Sequence, residues 1–184
     1  MAEAKNNGVM RCDLVAFISA ATTDVFSTML GQDVTADESY VEKMSNAPSS
    51  GIVSLVGLAG EWVGTGGISC TAHLACRISS IFLMAEYDSV NEDVLDAIAE
   101  FTNMIIGNVK TALEEQLGPM GLSIPTVIFG RNFQTRNSGN HEWVVVPFNL
   151  GEDRFHVQIC LSPNRDATQK VIRAGQPVPH LLSV

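Results

Sequence analysis

Asp96, Glu100 and Asn103 stand four and three residues apart within DAIAEFTNMIIGNVK, residues 96–110. In a helix such spacing gathers side chains on one face. At about 100° per residue and with Asp96 at zero, Glu100 falls at about +40°, Asn103 at about −20°, Gly107 at about +20° and Lys110 at about −40°. The apolar residues Leu95, Ile98, Phe101, Ile105, Val109, Ala112 and Leu113 gather on the opposite side, which the pattern predicts to be buried. A carboxylate and a neutral amide on a wet stripe can do two things. The carboxylate can pair with a cation, and the amide can hold a water molecule by hydrogen bonds without adding charge. Asn and Gly are also poor helix residues, together costing about 1.5 kcal/mol relative to Ala. Against a typical stability of about 5–15 kcal/mol that is noticeable. A merely solvated face could shed it, whereas a docking face gains from Gly107, whose missing side chain admits a second backbone. Met104, at the margin of the stripe, adds a soft apolar contact.

Other chemistries find less support. His73, His141, His156 and His180 never fall three or four residues apart, and Cys12, Cys70, Cys76 and Cys160 form no CxxC pair, so no metal site is expected. The cysteines read as buried, reduced thiols. GTGGIS, residues 64–69, lacks the following Gly-Lys-Ser/Thr of a phosphate loop and sits in a strand pattern, where glycines near a bulge are the better account. Ser69, Ser79 and Ser80 with His73 lack the GxSxG elbow of a hydrolase. Trp62 and Trp143 read as packing aromatics. With 20 acidic against 11 basic residues, a formal charge of −9 opposes nucleic acid and an anionic membrane surface as partners. The apolar runs are broken by Gly, Ser or charge below a spanning length, and MAEAKNNGVMRC lacks the order of a secretion signal, so a soluble, cytoplasmic protein is expected.

The elements that must position the stripe follow from periodicity. Residues 11–31 predict a helix ending at Gly31, and residues 31–50 an exposed connection with a short helical or strand piece. IVSLVGLA and WVGTGGISCT, split by Gly60-Glu61, predict an antiparallel hairpin, and AHLACRISSIFLMAEYD a second helix. The long helix starts near Asn91, Glu92 and Asp93 and ends near Gly118-Pro119. LSIPTVIFG predicts a strand and NFQTRNSGN a loop or strand end. HEWVVVPFNL and RFHVQICLS predict a second hairpin about Gly151-Glu152-Asp153, with Phe155, Val157, Ile159 and Leu161 on its core face. Pro147 pushes its strand toward an edge or a bulge. Both hairpins turn at Gly-Glu, and laying the first helix over the long one pairs Asp13 with Asp96 and Ala16 with Ala99, a sign of two related halves. The fold class is α+β, helices packed on a mostly antiparallel β-sheet. The chain divides into an N-terminal extension (1–10), one domain (11–162) and a tail (163–184) of undecided structure.

Asp96, Glu100 and Asn103, followed after 21 residues by Pro125, resemble the signature of the CheC, CheX and FliY chemotaxis phosphatases, and NMIIGNVK is similar to the core of that family's helix. The likeness covers roughly residues 11–162. It implies a protein phosphatase, a hydrolase that removes the phosphoryl group from the aspartate of a phosphorylated CheY-like response regulator. On that resemblance Asn103 orients the attacking water and Glu100 pairs with the regulator's lysine. Mg²⁺ is supplied by the regulator, with no cofactor on this chain. Asp96, Met104, Gly107 and Lys110 are candidates for contact with the partner. CheC-like members carry the Glu and Asn pair in both halves, whereas the first helix here has Phe17 and Ala20 at the matching positions. That favours the single-site CheX-like branch, which implies a homodimer. The alternative is a non-catalytic docking module of the same fold, binding a response regulator or a flagellar-switch component.

Overall fold

The computed structural model describes residues 2–42, 49–133 and 142–164 of the 184, the side chains of residues 2–12 and of Ser49 excepted. Residues 43–48 of the first connection, residues 134–141 with QTRNSGN and His141, the tail from residue 165 with His180, and the side chain of Cys12 lie outside the described residues. The elements run α1 (Ala2–Leu30), β1 (Thr35–Ala36), β2 (Tyr40–Glu42), β3 (Ser49–Gly60), β4 (Trp62–Cys70), α2 (Ala72–Phe82), α3 (Glu92–Leu117), β5 (Met120–Leu122), β6 (Thr126–Phe133), β7 (Trp143–Leu150) and β8 (Asp153–Pro163). The fold is α+β, as the periodicities predict. Helix α1 ends before Gly31, whose φ of 60° suits glycine. Its start lies at Ala2, so residues 2–10 are continuous with the helix.

Among the described residues eight strands form one sheet in the order β1-β7-β8-β4-β3-β5, with β2 also on β7 and β6 also on β3. Every pairing is antiparallel. The order has a two-fold logic. One half is α1–β1–β2–β3–β4 and the other α3–β5–β6–β7–β8, with α2 between them. Each half lends its first two strands to the edge of the other half's hairpin, and β4 and β8 meet at the centre from Trp62↔Pro163 to Cys70↔Phe155. The repeat that the paired Gly-Glu turns suggest is thus realised in the topology. Matching the helix-ending glycines Gly31 and Gly118 shifts the helix alignment by one turn from the one read in the sequence, pairing Asp13 with Glu100 and Ala16 with Asn103. In either register alanine stands where the second half has Asn103.

The core lies between the sheet and the helices. Phe26 of α1 stacks on Phe155 of β8 at 4.8 Å and meets Phe101 of α3 edge-on at 4.9 Å. Phe148 stacks on Phe155, and Phe82 of α2 reaches Phe101 at 6.0 Å. Edge-on and stacked pairs contribute beyond their buried area, and here they join all three helices to the central strands. The window Asp13–Leu30 is long and apolar enough to cross a membrane by length and composition, a threshold the sequence reading placed out of reach. Its Leu14, Ile18, Val25, Phe26 and Leu30 are buried in this core, against α3 and β7.

Two strand expectations need correction. Pro147 lies neither in an edge strand nor at a bulge, since β7 has β8 on one side and β1 and β2 on the other. It sits where that outer neighbour is broken between Ala36 and Tyr40, so its missing N–H leaves no strand partner unbonded, while its carbonyl accepts from Asp37 N at 2.9 Å. The glycines of GTGGIS lie in unbroken register with β3 and β8, with no bulge. A Cβ on Gly66 would stand 2.8 Å from Ile106 of α3, so Gly66 lets the helix settle on the sheet.

Candidate functional site

Helix α3 carries the site, and its placement is fixed at both ends and along one side. Asn91 caps it, its side-chain oxygen accepting from Val94 N at 3.0 Å, with Glu92 and Asp93 in the first turn where negative charge is favoured. Gly118 ends it with a φ of 78°. Val94, Ala97, Ile98, Phe101, Thr102, Ile105, Ile106, Val109 and Leu113 are buried. Thr102 is the polar member the periodicity did not foresee, and its hydroxyl donates within the helix to Ile98 O at 2.7 Å. Leu95 and Ala112, expected inside, are half-buried.

This rotation turns the stripe outward. Asp96 and Glu100 are exposed, while Asn103, Met104, Gly107 and Lys110 are half-buried. Glu100 and Asn103 stand one turn apart on one face, about 4.5 Å along the axis. Neither they nor Asp96 makes a side-chain hydrogen bond or ion pair among the described residues. Among the described residues the exposed carboxylate and the half-buried amide keep their hydrogen-bonding capacity unspent, and so are available to another molecule.

The other candidates divide. Met104 packs partly on the core. A Cβ on Gly107 would meet only Leu122 Cδ1, at 3.7 Å, an ordinary contact, so no internal crowding requires glycine there. Lys110 is committed. Its ammonium pairs with Glu114 at 2.8 Å and donates to Met120 O at 3.2 Å, while Glu114 Oε1 accepts from Met120 N at 2.7 Å. The two side chains hold both backbone groups of Met120 and so fasten β5 to α3. The hydrogen bond from Lys110, and then the one from Met120 N–H, hold the Glu114 carboxyl below its ordinary range. The Lys110–Glu114 spacing of four was legible in sequence, but its grip on β5 was not.

The remaining reactive groups are otherwise engaged. Cys70, Cys76 and Cys160 are buried, and burial pushes the Cys70 thiol up to about 12, which keeps it protonated and unreactive. His73 faces Asp153 at 3.4 Å, Ser79 donates to Val94 O and Ser80 accepts from Tyr87 N, so neither Ser79 nor Ser80 is paired with His73. His156 is held below its ordinary value by burial and then by Arg154. Among the described residues no three His, Cys, Asp or Glu side chains converge on one point.

Residues 52–149 match the sequence model of the chemotaxis phosphatase CheX family. The sequence matches no curated protein. In structure the chain is similar to a chemotaxis protein CheX from Desulfovibrio desulfuricans (28% identity, 81% of this chain and 99% of that one, TM-score 0.73). It is also similar to CheX from Vibrio vulnificus (24%, 81% and 99%, TM-score 0.72), a likeness of fold. A third similar structure is the CheX of a CheX–CheY–BeF₃–Mg²⁺ complex from Borrelia burgdorferi (25%, 80% and 96%, TM-score 0.66).

Proposed function

This chain belongs to the chemotaxis phosphatase CheX family, and from that premise we propose that it dephosphorylates the aspartyl phosphate of a CheY-type response regulator, with Glu100 and Asn103 as its catalytic residues. The observation that carries the reading is this pair, on one face of a helix fixed by its cap and its buried side, and without a side-chain partner among the described residues. The Borrelia relative in complex with CheY, BeF₃ and Mg²⁺ supports such a partner, since beryllium fluoride stands in for a phosphoryl group.

An acyl phosphate is already activated, so its hydrolysis asks mainly for alignment and charge stabilisation. Glu100 pairs with the regulator's lysine and fixes the helix across the regulator's pocket. Asn103, one turn on, enters the pocket and holds a water in line with the P–O bond to the aspartate. Water oxygen bonds to phosphorus, the bond to the aspartyl oxygen breaks, and orthophosphate and a free carboxylate result. Mg²⁺ bound with the regulator neutralises charge on the phosphoryl oxygens. A neutral amide suits this place, because a second carboxylate there would repel the phosphoryl group. Asp96, Gly107 and Met104 form the contact surface around the pair, and Lys110 supports it through Met120. The single-site form goes with a cytoplasmic homodimer, which sedimentation checks.

Added to a phosphorylated CheY-type regulator, the purified chain should speed the release of phosphate in proportion to its concentration. A chain that binds the regulator and leaves its phosphate lifetime unchanged would make this a docking module without catalysis.

A further inference from the structure

Two of the largest exposed apolar side chains lie on the segment that runs beside the stripe. Ile124 is 87% exposed and Phe129 51%. Residues 120–122 run antiparallel to α3 in space, with Met120 at Lys110 and Leu122 at Gly107. An extended chain rises about 3.3 Å per residue and a helix about 1.5 Å. Two more residues in the same direction span up to about four residues of helix back from Gly107, so Ile124, in the connection between β5 and β6, lies toward the Asn103 end of the stripe. Phe129 lies on the helix-bearing face of the sheet, since it pairs with the buried Ile52.

Ile124 is also held still. Ser123 N donates to Gly57 O at 2.9 Å, Gly57 N donates back to Ser123 Oγ at 2.8 Å, and Ser123 Oγ donates to Ile124 O at 2.9 Å. Pro125 follows at once, and the Lys110–Glu114 clamp fixes Met120 before it. The register on β3 slips by one residue here, from Leu58↔Leu122 to Leu55↔Thr126. The slip pushes Ile124 out of the sheet edge. A β-branched side chain on a backbone held by hydrogen bonds has few rotamers to lose on burial and so suits an anchor.

We infer that Ile124 is the apolar specificity contact for the regulator, filling a nonpolar depression beside the phosphorylated aspartate's pocket while Asn103 enters the pocket itself. The inference rests on the regulator-directed reading above. Continuity with the Glu100–Asn103 face identifies the occupant as that same regulator. Ile124 touches no reacting atom, so its contribution is to binding.

The test uses the full chain with a CheY-type regulator carrying BeF₃ and Mg²⁺ for affinity, and the phosphorylated form for turnover. Ile124→Ser should weaken affinity and raise KM by about ten-fold, leave kcat within two-fold and leave Tm unchanged, and Ile124→Val should recover most of the affinity. Unchanged affinity and KM in Ile124→Ser, with Asn103→Ala slowed, would overturn this inference alone. A parent chain that neither binds nor dephosphorylates the regulator would overturn the underlying reading and this inference with it.

Discussion

Gly107→Ala separates what the fold needs from what the stripe does. Glycine inside a helix costs about 1 kcal/mol relative to alanine. The conformation at Gly107 is ordinary helix, and an added Cβ would meet only Leu122 Cδ1 at 3.7 Å, a van der Waals contact. Nothing internal therefore offsets the propensity gain, and the change should stabilise the protein by roughly 1 kcal/mol. For a chain of this length that is a rise in Tm of about 2–4 °C. If the stripe docks against another backbone, the same methyl group stands between the surfaces. Affinity for the regulator should then fall by about ten-fold, the scale of 1.4 kcal/mol lost at an interface. Thermal unfolding by circular dichroism reads the first quantity and titration with the BeF₃-loaded regulator the second. A lower Tm would refute the packing argument. A higher Tm with unchanged affinity would refute the claim that glycine is kept there for a partner.

Other substitutions probe the frame. Gly66→Ala forces a Cβ to within 2.8 Å of the fully buried Ile106, and chemical denaturation should show a loss of about 1–3 kcal/mol. Phe101→Ala removes the ring shared by Phe26 and Phe82 and should cost about 3–5 kcal/mol by the same measurement. The Glu114 carboxyl is depressed below its ordinary 4.5 in the folded state, so its bonds to Lys110 and Met120 contribute stability above that pH and lose it as pH falls through the lowered folded value. The deficit in Tm of Glu114→Gln relative to the native chain should accordingly be present at pH 7 and shrink below about 4.5. A deficit independent of pH would mean that the clamp acts through packing.

Much of this molecule is written in local pattern. The bounds of α3 follow from Asn91 and Gly118, and both hairpins from their Gly-Glu turns, because caps and turns are decided by neighbouring residues. The wet stripe is equally local, since one helical period sorts Glu100 and Asn103 from Phe101 and Ile105. Long-range placement was not legible. Nothing near Pro147 tells that β1 and β2 would flank its strand and leave a gap beside it. Nothing near Gly66 names Ile106 as the side chain it makes room for. Lys110 looked like a contact for a partner because its tie to Met120 depends on where β5 lands. Ile124, in a short strand connection, carries no periodic signal, and only its position beside α3 gives it meaning.

The central claim is that the Asn103 amide aligns a water in another protein's pocket. Single-turnover dephosphorylation of a phosphorylated CheY-type regulator, run with the native chain and with Asn103→Ala and paired with affinity for the BeF₃-loaded form, tests it most directly. The expected result is a rate lowered by about 10²-fold or more with affinity and folding retained. Equal rates from the two chains would contradict it.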